Sequence, residues 1–152
     1  MGARDQQLQA RALVRLRAVR MQSAALALAE ARAATAAAER ERAAADAAAD
    51  VADAAMAEAR ASLAIDPAEA ERLLAVVDRS HFRRSVARSA LNDAREAERL
   101  TGEAEAERRK AMILARARHD RLVEHARQAV RRWARRREER TALDNAEARR
   151  RP

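Results

Sequence analysis

The sequence predicts an all-α protein: two long helices forming an antiparallel coiled-coil hairpin, with its turn near residues 65–67. Three observations carry that expectation. Asp66-Pro67 is the only strong helix breaker between Arg4 and Arg151, and it falls near the middle of 152 residues. Alanine, arginine and glutamate dominate the composition, and all three lose little side-chain freedom in a helix. A seven-residue repeat of apolar or small side chains, the mark of a left-handed coiled coil, runs through the first half.

Helix 1 is expected from about Arg4 to Ala64. One heptad series runs through Val14, Met21, Leu28, Thr35, Arg42, Ala49, Met56 and Leu63. Its companion, three residues later, is Ala24, Ala31, Ala38, Ala45, Ala52 and Ala59. Large residues sit at both ends of the first series and small ones in its middle. Alanine seams let two helices approach at the short end of the usual range of about 8–10 Å.

The turn follows from proline chemistry. Inside a helix proline removes a backbone donor and clashes with the preceding turn, at roughly 3 kcal/mol. At the first helical position that donor would be unpaired anyway. Asp66-Pro67-Ala68-Glu69 suits this use, with Asp66 as N-cap and Glu69 able to bond back.

Helix 2 then runs from Pro67 to about Ala148. Its seam is patchier: Leu73, Val77, Ala87, Leu91 and Ala94, then Met112, Ala115, Leu122, Ala126, Ala129 and Trp133. Glu98, Thr101, Glu105 and Arg108 interrupt it, and Gly102 lies in the same gap. A loose or bent segment is expected near residues 98–108. Reversal at residue 66 sets Leu28 near residue 104, Met21 near Met112 and Val14 near residue 118. Helix 2 is the longer, so residues 130–152 overshoot the N-terminus without a partner. The whole chain is then one hairpin, a rod on the order of 90–120 Å long.

Composition excludes several classes. With one Trp, one Phe and no Tyr, and with much of the 49% hydrophobic content being alanine, a multilayered core is not expected. The 37% charged residues alternate in sign and replace the Pro, Ser and Gly of a disordered chain. Lys110 is the only lysine among 32 basic residues, a bias that a GC-rich bacterial genome explains. The absence of cysteine excludes disulfides and thiolate sites and fits a reducing compartment. Charges interrupt every apolar run well before the ~20 residues of a membrane span, and no signal peptide is expected.

Charge is polarised. Residues 1–29 carry five basic residues and one acidic, residues 30–107 carry 11 and 17, and residues 108–152 carry 16 and six. An antiparallel hairpin gathers both basic segments at its open end. Three partners suit such an end: nucleic acid, an anionic membrane and an acidic protein surface. The basic segments lack a stacking platform and zinc or helix-turn-helix spacing, and Glu138, Glu139, Asp144 and Glu147 punctuate the tail. The tail also lacks the bulky stripe of an interfacial helix. Elimination favours a protein partner.

No catalytic residue, metal or cofactor is expected, and enzyme activity is not. His119 and His125 are six apart, the wrong spacing for one helical face, and His81 stands alone. The carboxylates have arginines three or four residues away, as in ordinary surface ion pairs. Gly2 and Gly102 are the only glycines, which leaves no phosphate loop. Two places invite binding. One follows the turn, where Leu74, Val76 and Phe82 lie off the seam that Leu73 and Val77 fill. The other is Trp133 within Arg131-Arg132-Trp133-Ala134-Arg135-Arg136-Arg137, since Trp and Arg are enriched in interface hot spots. The alternatives are that the first cluster locks the turn and that Trp133 is the last knob of the seam.

The length, the single central turn, the opening Leu13-Val14-Arg15-Leu16-Arg17-Ala18-Val19-Arg20 and the ending Arg136-Arg137-Glu138-Glu139-Arg140-Thr141-Ala142-Leu143-Asp144 together resemble one group. It is the central stalk proteins of type III secretion systems, the YscO/SctO family, with their flagellar relative FliJ. The resemblance implies a non-enzymatic hairpin at the cytoplasmic face of a bacterial inner membrane. Its open end would enter the hexameric secretion ATPase, and its middle would touch the cytoplasmic domain of the export gate protein; some members escort chaperones. Carried over, the ATPase contacts are Arg11, Arg15, Arg131, Trp133, Arg135 and Arg136. The gate contacts are Leu74, Val77, His81 and Phe82. Outside the resemblance, two other readings stay open: a basic coiled coil binding nucleic acid or anionic membrane, and a purely structural dimerising coiled coil.

Overall fold

The computed structural model describes the backbone over residues 3–65 and 69–150, and side chains over residues 8–63 and 69–149. The described chain is entirely helical. Helix α1 spans Ala3–Ile65 and helix α2 spans Ala70–Arg150, and a short turn lets them pack against each other. The Asp66-Pro67-Ala68 step lies outside the described residues. Just past it, the Glu69 carboxylate accepts a hydrogen bond from Arg72 at 3.0 Å.

The chain falls into two compact units. One is Ala29–Glu107, containing the turn; the other joins Met1–Leu28 to Arg108–Pro152. In the first unit both predicted heptad series of α1 turn toward α2. Ala38, Ala49 and Ala59 are buried, and Met56 keeps only 3% of its surface exposed. On α2, Leu91 is buried. It lies between Arg88, which holds Asp53, and Arg95, which holds Asp46, so it faces the alanine-rich part of α1 around Ala45 and Ala49. A leucine against alanines lets the helices close up with few voids, the condition for dispersion contacts to accumulate.

Polar side chains take over where the α2 seam loses its apolar residues. Arg42 reaches Glu98 at 3.2 Å, and Arg32 reaches Glu105 at 3.6 Å. The Thr35 hydroxyl, 3.1 Å from the Ala31 carbonyl of its own helix, also stands 3.3 Å from the Thr101 carbonyl across the seam. Helix α2 therefore runs unbroken through the segment expected to be loose. Gly102 remains the weak point, because nothing lies within 4 Å of where its Cβ would be.

The register differs from the expectation. Thr35 meets Thr101, Asp53 meets Arg84, and Val14 lines one groove with Val123, each four or five residues further along α2 than reversal at residue 66 implies. The cause is the connection: α1 persists to Ile65 and α2 starts only at Ala70, which moves the centre of reversal toward the C-terminus.

Asp53 is gripped by two arginines from across the seam. Arg84 Nε bonds one oxygen at 2.5 Å and Arg88 Nη2 the other at 2.8 Å. The hydrogen bonds from Arg88 and then Arg84 hold its carboxyl below the usual carboxylate range. A carboxyl with a lowered folded pKa contributes its full stability above the unfolded value of about 3.9, and loses it as pH falls through the folded value.

Two outcomes are expected. Gly102→Ala adds helix propensity with no steric conflict and stabilises by about 1 kcal/mol, read as a higher urea midpoint. Thermal midpoints followed from about pH 6 to pH 2 should show wild type more stable than Asp53→Asn at the upper end, with the difference shrinking once pH falls below the unfolded value of about 3.9. An undiminished difference at the acid end contradicts the clamp.

Candidate functional site

Counted by unit, Ala29–Glu107 holds 11 basic and 17 acidic residues, whereas the unit carrying the chain ends holds 21 basic and seven acidic. Structure adds how differently the two use these charges. In Ala29–Glu107, carboxylates across the seam or one turn away engage Arg32, Arg42, Arg72, Arg84, Arg88, Arg95 and Arg99. Arg99 bonds Glu96 at 2.6 Å as well as Glu103, and the Arg99 bond lowers the pKa of Glu96.

The other unit is less fully neutralised. Its α1 segment carries a single acid, Asp5, so the arginines of α2 have almost nothing to reach for across the seam. Arg116 comes only to 3.9 Å of Asp120 on its own helix. Arg11, Arg15, Arg127, Arg131, Arg135 and Arg136 have no carboxylate partner among the described residues.

Between the helices of this unit lies an open groove of about 480 Å³. Helix α1 contributes Val14 with Arg11 and Arg15; α2 contributes Val123, Ala126 and Val130 with Arg127 and Arg131. Val14, Val123 and Ala126 are half-buried, while Val130 keeps 39% of its surface; together they form an apolar floor. The four arginines are exposed and stand two on each helix, forming a cationic rim. Such an arrangement can hold apolar side chains and carboxylates at once.

Three of the residues singled out from sequence, Arg11, Arg15 and Arg131, thus meet in one groove. Arg135 and Arg136 lie further along α2 in a stretch where every residue from Arg135 to Arg149 is exposed. Trp133 retains 37% exposure, and the Arg137 guanidinium sits 5.6 Å from its ring centroid, a cation–π distance. In the other unit Leu74 and His81 are exposed on one row of α2, with Phe82 beside them at 68% exposure. Val77 is half-buried in the seam.

Arg127, Val123 and Val130 were not singled out from sequence, although Val123 and Val130 stand seven apart on the row beside the seam. The seam also takes in His119, half-buried, with Nδ1 3.2 Å from Asp120 Oδ1. Among the described residues no cluster of three or more His or carboxylate groups could hold a metal ion. None of the described helices is long and apolar enough to cross a membrane.

Comparison with protein-family profiles, with curated proteins and with solved structures finds no match to this chain.

A helical segment of about 15 residues without a packing partner is marginal in water. Limited trypsin digestion should therefore cut first between Arg135 and Arg149, and Ala29–Glu107 should survive longest despite its 11 arginines. Mass spectrometry of early fragments reads the order; early cuts at Arg84 or Arg88 would contradict it.

Proposed function

We propose that this chain is a non-enzymatic coiled-coil stalk of a type III secretion apparatus, coupling its hexameric ATPase to the export gate. The observation that supports the reading is the unequal neutralisation of charge. The unit carrying both chain ends presents unpartnered arginines, while Ala29–Glu107 satisfies most of its arginines internally and exposes an apolar cluster instead. A stalk needs two unlike contact regions, and a long-range cationic field speeds encounter with an acidic partner. The resemblance of the arginine-rich opening and ending to the stalk family points the same way.

In this reading Arg11, Arg15, Arg131, Trp133, Arg135 and Arg136 meet the ATPase. Leu74, His81 and Phe82, with Val77 supporting them from the seam, meet the gate at the cytoplasmic face of the inner membrane; chaperones are a further class of partner. A second reading, a basic module for nucleic acid or anionic lipid, draws on Trp133 stacked with Arg137 amid an arginine run.

Capture of the same organism's purified secretion ATPase is the test. Wild type should bind it and change its hydrolysis rate. Trp133→Ala should weaken binding by about 30-fold, the loss of about 2 kcal/mol typical of a hot spot. No capture, together with tight DNA or anionic-vesicle binding that collapses between about 50 and 300 mM salt, would move the assignment to the second reading.

A further inference from the structure

We propose that the groove between α1 and α2 docks an acidic amphipathic helix of a partner protein, laid along the pair as a third helix. Shape is the first reason. On α2 the lining residues Val123, Arg127 and Arg131 recur every fourth position, with Ala126 and Val130 between them. The groove therefore follows the helix axis for about two turns, roughly 12 Å at 1.5 Å per residue. That is the footprint of another helix, anchored by apolar side chains at i, i+3, i+4 and i+7.

Chemistry is the second reason. The floor is methyl groups, and the rim is four guanidiniums, Arg11 and Arg15 on one side with Arg127 and Arg131 on the other. In Ala29–Glu107 the arginines flanking the seam find Asp53 and Asp46, but the groove's four have no carboxylate among the described residues. The complement is an apolar stripe with carboxylates along both edges. A second copy presenting the same face would set arginine against arginine. An acyl chain brings one headgroup to one end of the groove, and so leaves most of this rim unmet. This inference does not depend on the stalk reading: the groove is defined by its own residues, whatever protein supplies the helix.

The test uses the full chain and a fluorescein-labelled synthetic peptide with leucines at i, i+3, i+4 and i+7 flanked by glutamates. An isomer of identical composition, shuffled to remove the stripe, is its control. Anisotropy at about 150 mM salt should show the striped peptide binding at least about tenfold tighter than the shuffled one. The pair Arg15→Glu and Arg127→Glu should lower that affinity about tenfold or more, and Val130→Ser several-fold. Arg140→Glu, an equal charge change per site in the tail, should leave it unchanged. Circular dichroism checks that each variant stays helical, and Arg127→Gln gives the same reading should the double reversal disturb the fold.

Equal binding of the two peptides, or an equal loss with Arg140→Glu, would overturn the proposal as unspecific attraction. Concentration-dependent dimerisation abolished by Arg15→Glu and Arg127→Glu would assign the groove to a second copy instead. Phosphatidylserine vesicle binding abolished by Val130→Ser would assign it to lipid. Failed ATPase capture alongside successful peptide binding would remove the stalk reading and leave this one standing.

Discussion

The grip of Arg84 and Arg88 on Asp53 is the contact that most directly ties the two helices of Ala29–Glu107 in one register. An alanine seam cannot do so alone. Ala38, Ala45, Ala52 and Ala59 repeat every seven residues, so sliding α2 by one heptad would meet nearly the same surface. Large knobs and charge pairs remove that degeneracy. Leu91 and Met56 are buried large knobs; Asp53, Asp46 and Glu98 then tie one register to specific arginines. Each exposed ion pair contributes only about 0–1 kcal/mol to stability. A slip, however, breaks them together, as flanking charges set register in other coiled coils.

Val14 lines the groove with Val123 and Ala126, so the alignment of α1 with α2 inside the unit that carries the chain ends decides which residues form the floor.

The sequence made part of this legible. All of the α1 heptad positions named from periodicity are half-buried or buried, because one repeat of small and apolar residues leaves a helix a single face to hide. On α2 the same period continues through Ser80, Arg84 and His119, seven after Leu73, Val77 and Met112. Apolarity alone passed over them, since an arginine can lay its methylenes on the seam while its head reaches a carboxylate. The polar gap at Glu98, Thr101 and Glu105 read as a weakness for the same reason: their cross-seam partners Arg42, Thr35 and Arg32 depend on a register that composition does not state. That register was misplaced by four or five residues because it is set by where the helices stop beside the turn. The charge division was readable by counting; which arginines stay unpaired was not, as this needs three-dimensional neighbours.

Two deficits coincide in the unit carrying the chain ends. Its seam uses larger residues than the alanine stretch, yet Val14, Met21, Met112 and Leu122 remain only half-buried there. The flanks of these four side chains stay in contact with water. Arg11, Arg15, Arg127 and Arg131, which line the groove, also lack a carboxylate partner among the described residues. Uncovered apolar area and unneutralised charge usually call for different remedies, burial for one and hydration for the other. Here they lie side by side on one groove, where a single acidic amphipathic helix would bury the first and pair the second. In Ala29–Glu107 the acids outnumber the bases, and seven of its arginines reach carboxylates. The groove, by contrast, gathers uncovered methyl groups and unpaired guanidiniums in one place, so that covering the first without answering the second would leave charge buried unmet.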